Sequence, residues 1–192
     1  MLVPFVIVAV ALTLILAGCQ ATRAGYETAP YKVVRSSGKF EVRDYPALTV
    51  VETRMSDGGD GSFNRLFRFI TGGSESKQKI AMTTPVFMSG NDSNKTMAFV
   101  LPTKLKAGEV PRPTDTLVKT RELEAGRFAV LRFHGGRNSE NETGSLRRLQ
   151  TWMESEGLKV KSSSPVYAYF DPPWTPGFLR RNEVMLQTEM SH

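Results

Sequence analysis

The feature that most constrains the fold is an order of segments that occurs twice along the chain. In each half, strand-like segments precede one amphipathic helical segment, and two further strand-like segments follow it. We expect the helices near Ser62–Thr71 and Thr143–Glu156. Two such units can pair their strands into one curved sheet with the helices outside it. The sequence therefore predicts an α+β fold, a distorted antiparallel β-barrel of two βαββ-like repeats with two flanking helices.

The strand-like segments are rich in β-branched and aromatic residues, and turn residues separate them. In the first half they are Tyr31–Arg35, Phe40–Tyr45, Leu48–Arg54, Ile80–Met88 and Thr96–Leu101. In the second half they are Leu117–Leu123, Arg127–Phe133, Val166–Phe170 and Glu183–Gln187. The turn residues Ser36–Lys39 predict that the first two segments form a hairpin. Those at Glu124–Gly126 predict a hairpin of Leu117–Leu123 with Arg127–Phe133.

The spacing of apolar residues predicts which side of each helix is buried. In the first helix, four residues recur at i, i+3, i+4 and i+7: Phe63, Leu66, Phe67 and Ile70. In the second helix the corresponding set is Leu146, Leu149, Trp152 and Met153. Ser62 is the expected N-cap of the first helix. Phe69 then falls on the outer side of this helix, among arginines.

The N-terminus predicts an export signal. Met1–Gly18 contains no charged side chain, and the only cysteine of the chain, Cys19, follows it directly. Leu16–Cys19 resembles the lipobox of bacterial lipoproteins, which implies a signal peptide over residues 1–18 and an acylated Cys19. Gln20 then suggests anchoring in the cell envelope, at the periplasmic face of the outer membrane. We expect a tether over 19–30 and a folded domain over 31–190; the alternative is a plain N-terminal anchor helix.

Composition excludes several functions. One cysteine and two histidines, His134 and His192, exclude a disulfide framework, covalent c-type haem attachment and a multi-histidine metal centre. The sequence lacks Gly-x-Ser-x-Gly, the P-loop and Gly-x-Gly-x-x-Gly, so we expect no enzyme. The net charge of +6 favours anionic partners but is modest, and nucleic acid is disfavoured. We expect a monomer.

An ordered set of short motifs resembles the SOUL family of haem-binding proteins. In chain order these are Tyr26–Thr28, Tyr31–Val34, Phe40–Tyr45, Phe63–Gly72, Lys79–Val86, Pro111–Pro113, Phe133–Gly135, Tyr169–Pro173 and Arg180–Val184. The resemblance implies an antiparallel barrel of two repeats and, for some members, non-covalent binding of a tetrapyrrole. Haem needs an apolar slot, cations for its propionates and, optionally, an axial ligand.

The resemblance places the ligand around the first helix and the facing end of the last strands. It implies that Phe69 stacks on the porphyrin, that Arg65 or Arg68 meets a propionate, and that Asn64 lies beside them. The second cation would come from Arg180 or Arg181. The alternatives are that Phe69 packs on the stem of Arg65 and that the arginines are ordinary solvated side chains.

The sequence offers few axial ligands for a haem iron. Neither histidine falls on the first helix or in Phe40–Tyr45, and Met82 and Met88 are expected to fill the core. We therefore expect apolar contacts and ion pairs to dominate, with weak or no histidine ligation. The alternative function is a GyrI-like carrier or sensor of another amphipathic molecule. In that case Glu183 would face a cationic ligand, unless it pairs with a neighbouring arginine.

Overall fold

In the described part of the chain, nine strands form one antiparallel sheet, and two helices pack on this sheet. Two further strands of two residues each pair with one another. The computed structural model describes residues 25–55, 60–90, 94–172 and 174–189. The helices are α1 (Asp60–Ile70) and α2 (Ser139–Ser155). The strands are β1 (Glu27–Thr28), β2 (Lys32–Ser37), β3 (Phe40–Tyr45), β4 (Leu48–Arg54), β5 (Thr83–Thr84), β6 (Val86–Ser89), β7 (Thr96–Val100), β8 (Lys119–Leu123), β9 (Gly126–Phe133), β10 (Val166–Tyr169) and β11 (Asn182–Thr188). The expected signal peptide, Cys19, residues 20–24 of the tether and His192 lie outside the described residues.

The order of the strands confirms the α+β class. The sheet runs β2-β3-β9-β11-β10-β6-β7-β4-β8, and every neighbouring pair is antiparallel. The β2–β3 hairpin forms as expected and turns at Gly38, whose φ of 59° lies in the left-handed region that suits glycine. The expected duplication of the chain stays a prediction.

The expected hairpin of the second half does not form. Instead β8 pairs with β4, and β9 lies between β3 and β11. The first half therefore places β2 and β3 at the edge of the second half's strands, and the second half places β8 at the edge of the first half's strands. A turn motif shows that the chain reverses direction, but it does not fix which strand fills the neighbouring position in the sheet.

Apolar side chains form a core on each face of the sheet. Neighbouring residues such as Val50 and Val51, or Ala129 and Val130, belong to different cores because successive strand residues point to opposite faces. On one face, which we call the helix face, α1 covers one apolar cluster and α2 covers another. The third cluster lies on the opposite face, here called the inner face, and draws residues from strands that span the whole sheet.

Helix α1 buries a different side from the one predicted. Phe69 is 1% exposed and packs in the core with Leu66 and Ile70, whereas Phe63 and Phe67 are 36% and 44% exposed. The placement of Phe69 on the outer surface was therefore wrong. Five of the eight residues from 63 to 70 are apolar, so two rotations of the helix satisfy the spacing. Ser62 decides between them: it lies inside the helix, is buried, and donates a hydrogen bond to the carbonyl of Arg54 (3.2 Å).

The other boundaries shift by a few residues. Helix α2 begins before Thr143 because Asn138 caps it, its Oδ1 accepting a hydrogen bond from the Asn141 backbone N–H (2.8 Å). The folded body begins before residue 31, since β1 pairs with β5 and Ala29 is buried in the inner-face core. Neither helix in the described part of the chain has the length and apolar character needed to cross a bilayer.

The rotation of α1 predicts opposite effects for two phenylalanines. Phe69→Ala should lower the free energy of unfolding by about 3–5 kcal/mol, because it leaves a cavity in the core. Phe67→Ala should cost about 1 kcal/mol or less, because its ring is partly exposed. Urea denaturation followed by circular dichroism measures both. If Phe67→Ala proves the more damaging change, the rotation of α1 described here is wrong.

Candidate functional site

The outer surface of α1 carries part of the expected site. Phe67 and Arg68 lie three and four residues after Asn64 on this helix, so each is a surface neighbour of Asn64, and all three are exposed. Arg65 lies at the edge of the helix and is held there: its Nε is 3.3 Å from the Asp115 carboxylate, and its Nη1 is 3.3 Å from Thr53 Oγ1. Arg68 is therefore the exposed cation beside Phe67.

A pair of phenyl rings lies open to solvent beside this cation. The rings of Phe63 and Phe67 are nearly parallel, with an angle of 12° and 6.0 Å between centroids. The edge of Phe63 also contacts Phe99 in the core at 5.2 Å, which holds the pair in place. Solvent-exposed aromatic surface next to a guanidinium suits a flat, apolar ligand with a carboxylate. Sequence reasoning missed the pair because it placed both rings in the core.

Arg180 and Arg181 do not join this surface. Arg181 lies in the β10–β11 connection, and its guanidinium belongs to the inner face. It donates to Glu183 (2.8 Å) and to the hydroxyl of Tyr31 (3.3 Å), and it stacks on Phe170 at 4.1 Å. Arg180 Nε donates to the carbonyl of Thr175 at 2.7 Å. The structure thus separates Arg181 from α1, although the resemblance implied a common ligand.

A buried ion pair lies at the centre of the inner face. Arg43 and Glu183 have side chains that are both fully buried, and they form a two-fold hydrogen bond, Nη1 to Oε2 at 2.7 Å and Nη2 to Oε1 at 3.0 Å. Arg43 Nε donates to Glu41 at 2.6 Å, and Nη1 also donates to the hydroxyl of Tyr45 at 3.1 Å. The ring of Tyr31 covers the guanidinium at 4.1 Å. Each of the three nitrogen atoms of the Arg43 guanidinium therefore donates at least one hydrogen bond.

Two further arginines complete this cluster. Arg132 donates to Glu41, and its Nε lies 3.6 Å from Glu183, the residue directly opposite it on β11. Arg181 contacts the same carboxylate. Three guanidinium groups thus surround two carboxylates, and the cluster has a positive balance. The signal in the sequence was the alternation that places Glu41, Arg43 and Tyr45 on one side of β3.

The cluster fixes the charge state of its members. Burial alone would raise the pKa of Glu183, but the hydrogen bonds and charges of Arg43 and Arg181 hold this pKa below its ordinary value. Burial raises the pKa of Tyr45 to about 12. Glu183 is therefore a carboxylate that already has its cations. It cannot serve as the open acidic site that a cationic ligand would need.

A small cavity lies on the helix face beside the N-terminus of α2. Its volume is about 260 Å³, and Met88, Tyr167 and Arg137 contribute to its lining. The sulfur of Met88 accepts a contact from Arg137 Nη1 at 3.2 Å, so this methionine is not simply core filler. The volume falls below the roughly 300 Å³ at which ligand pockets begin.

Within the described ranges, no three side chains of His, Cys, Asp or Glu come together as a metal site would need.

The family model described as SOUL heme-binding protein matches residues 26–187. No curated protein shows significant sequence similarity to the chain. Among solved structures, the EcmrR C-terminal domain is 14% identical, with a TM-score of 0.59 over 84% of this chain and 99% of that one. A hydrolase from Listeria innocua is 11% identical, with a TM-score of 0.57 over 81% and 94%. An uncharacterized conserved protein from Listeria innocua is 13% identical, with a TM-score of 0.60 over 79% and 92%. At these identities the likeness shows the fold alone.

The buried pair predicts a large loss of stability when one partner is removed. Glu183→Gln should lower the free energy of unfolding by up to about 3–5 kcal/mol, because it removes the two-fold ion pair of the buried Arg43 and leaves Glu41 as the counter-ion. Replacing both residues, Arg43→Met with Glu183→Leu, should recover part of this loss. Denaturation at neutral pH compares the three chains. Equal stability of Glu183→Gln and the unchanged chain would contradict the role of the pair.

The pH dependence has a definite sign. The pKa of Glu183 is lower in the folded state than its ordinary value of 4.5. The ionised form is therefore favoured by folding, and this contribution is present at neutral pH and lost as the pH falls below about 4.5. The Glu183→Gln chain should show a flatter decline in stability over this acidic range.

Proposed function

The chain belongs to the SOUL haem-binding family, and from this premise we propose that it binds haem or a similar tetrapyrrole non-covalently. The observation that carries the proposal is the exposed, stacked pair Phe63–Phe67 beside Arg68. A tetrapyrrole is a flat apolar disc with carboxylate substituents, and this surface offers aromatic rings and a cation at adjacent positions. These residues suit a tetrapyrrole that is bound without a protein ligand to its metal.

We assign the roles on α1 as follows. Phe67 and Phe63 provide the apolar contact that the resemblance gave to Phe69, because Phe69 is buried. Arg68 pairs with a propionate, and Asn64 lies next to it. Arg65 contributes less, because Asp115 already neutralises it. We do not propose that Arg180 or Arg181 pairs with a propionate, because Arg180 donates to Thr175 and Arg181 pairs with Glu183 on the inner face.

A bound haem would supply an iron that accepts axial ligands, and α1 offers none. The helix contains no His, Met or Cys. His134 is exposed, and its Nδ1 lies 2.7 Å from the carbonyl oxygen of Arg180, away from the α1 residues named above. We therefore propose that affinity comes from the rings and the arginine, with weak or no histidine ligation.

The alternative function is a GyrI-like carrier or sensor of another amphipathic molecule. The likeness in fold is compatible with it, but Glu183 is occupied by Arg43, so the ligand would be an anion rather than a cation. We propose a binding protein and not an enzyme. The likeness to the Listeria hydrolase extends to the fold at 11% identity and carries no activity to this chain.

We further propose that the chain is a monomeric envelope lipoprotein built from two repeats, with no nucleic-acid partner. Leu16–Cys19 supports acylation at Cys19, after a segment over residues 1–18 without charge. The body would then face the periplasm from the outer membrane. In each half, a pair of antiparallel strands follows the helix, β6 and β7 after α1 and β10 and β11 after α2, which supports the duplication.

Haemin titration tests the ligand and its site. The full chain should shift the Soret band of haemin, and metal-free porphyrin should bind with similar affinity. Arg68→Gln should weaken binding by about 1–3 kcal/mol, the value of a charge-assisted hydrogen bond. Phe67→Ala should weaken it by about 0.5–1.5 kcal/mol beyond the lost apolar area.

Two controls separate the site from general effects. Arg121→Gln removes an exposed arginine from β8, and His134→Ala removes the internal histidine; neither should change binding. If His134→Ala abolishes the Soret shift while the α1 variants bind normally, the ligand lies elsewhere. If neither haemin nor porphyrin binds, the carrier of another amphipathic molecule becomes the better proposal.

Lipidation is tested by removing the thiol. Cys19→Ala should abolish labelling by a fatty-acid analogue in a bacterial host and leave the precursor uncut, because the cysteine is the acyl acceptor. Comparison of the two chains by labelling and mass spectrometry measures both effects. Equal processing of the two chains would indicate an ordinary signal peptide.

A further inference from the structure

A second aromatic surface lies on α2, apart from the α1 surface. Trp152 stacks on Phe40 of β3, with 4.9 Å between ring centroids and an angle of 17°. A cavity of about 330 Å³ opens here, and its lining is Phe40, Arg147, Arg148, Thr151, Trp152 and Ser155. Two aromatic rings and two arginines thus face one cavity. We call these six residues the α2 cavity.

The charge around this cavity is positive. Arg147 and Arg148 are both exposed, and Arg148 also donates to the hydroxyl of Ser145 at 3.0 Å. Arg35 adds a third guanidinium, which lies 5.7 Å from the centre of the Trp152 ring. Of the acidic residues, Glu156 pairs with Arg35 at 2.9 Å, so the two arginines of the cavity lining keep their positive charge available.

The cavity is held in place by the core beneath it. Phe40 and Trp152 both pack against the apolar cluster under α2, which includes the buried residues Leu149 and Met153. A ligand would therefore meet rings that are already ordered, and little conformational entropy would be lost on binding. The site is shallow and open to solvent, so a ligand would rest against the exposed parts of the rings and not be enclosed.

From this geometry we propose that the α2 cavity binds small planar aromatic carboxylates. The aromatic rings supply apolar and stacking contact with the ligand ring, and Arg147 and Arg148 pair with its carboxylate. The site is separate from the α1 surface proposed for a tetrapyrrole, and neither proposal depends on the other.

Terephthalate, a flat benzene dicarboxylate, is the probe that tests this site. The full chain in detergent has two tryptophans, so an ¹⁵N-labelled sample gives two indole N–H signals, and Trp174→Phe assigns them. Terephthalate should shift the Trp152 signal in a saturable manner and leave the Trp174 signal in place. Trp174 is the matched control because it is exposed on a loop outside the α2 cavity.

Two further ligands separate charge from shape. The diamine para-xylylenediamine has the same flat ring with positive charge, and cyclohexane dicarboxylate has the charge without a flat ring. Both should bind at least tenfold more weakly than terephthalate. Arg147→Gln with Arg148→Gln should weaken terephthalate binding by a similar factor, while Arg121→Gln should not.

The outcomes that overturn the proposal are equally definite. If the diamine bound as tightly as terephthalate, the two arginines would not select an anionic ligand over a cationic one. Equal shifts of both indole signals, or no saturable shift of Trp152, would show that the cavity is not a site. The tetrapyrrole proposal is tested by the Soret band of haemin with α1 variants, and the proposal for the α2 cavity is tested by the indole N–H signal of Trp152. The failure of one proposal is therefore distinguishable from the failure of the other.

Discussion

The buried contact between Arg43 and Glu183 is the constraint on which the arrangement of the sheet depends. A guanidinium without solvent exposure is stable only where its donors meet acceptors, and here these acceptors come from β3 and β11. The pair bridges β9, which lies between these two strands. A slip of β3 by one residue would turn Arg43 toward the helix face, where α2 covers an apolar cluster. The ion pair therefore favours one register over its neighbours, and with it the positions of the residues beneath α2.

The sequence predicted the elements of this fold better than their relations in space. Strand and helix segments follow from local periodicity, and both helices and the β2–β3 hairpin were confirmed. The rotation of α1 could not be read from spacing, because Phe63, Phe67 and Phe69 give two equally apolar sides. What resolves it is the hydrogen bond from Ser62 to Arg54, a contact with the preceding strand that periodicity does not contain. The exchange of strands between the two halves, β2 and β3 from the first and β8 from the second, is likewise a long-range pairing.

The candidate site could be predicted from the sequence only in part, because local spacing does not determine the rotation of α1. Asn64 and Arg68 were placed correctly on the outside of α1, because both lie opposite the apolar side of the helix under either rotation. The aromatic partner was assigned to Phe69, but the structure buries Phe69 and exposes Phe67. The sequence allowed either a cationic ligand or an arginine as the partner of Glu183. In the structure this partner is Arg43. The contact of Phe40 with Trp152 joins residues far apart in the chain, so no local pattern could show it.

The two faces of the sheet therefore differ in what they can bind. On the inner face, the central carboxylate of Glu183 is paired with Arg43 and Arg181, and apolar residues fill the space around them. On the outer sides of the helices, aromatic rings remain accessible beside arginines, at Phe67 and Arg68 on α1 and at Trp152 and Arg148 on α2. A guanidinium that is paired inside the protein contributes to stability, whereas one beside an exposed ring is still available to a carboxylate. Because Glu183 and Arg43 are paired with each other, the helix surfaces are the places that we propose for the recognition of a planar anion.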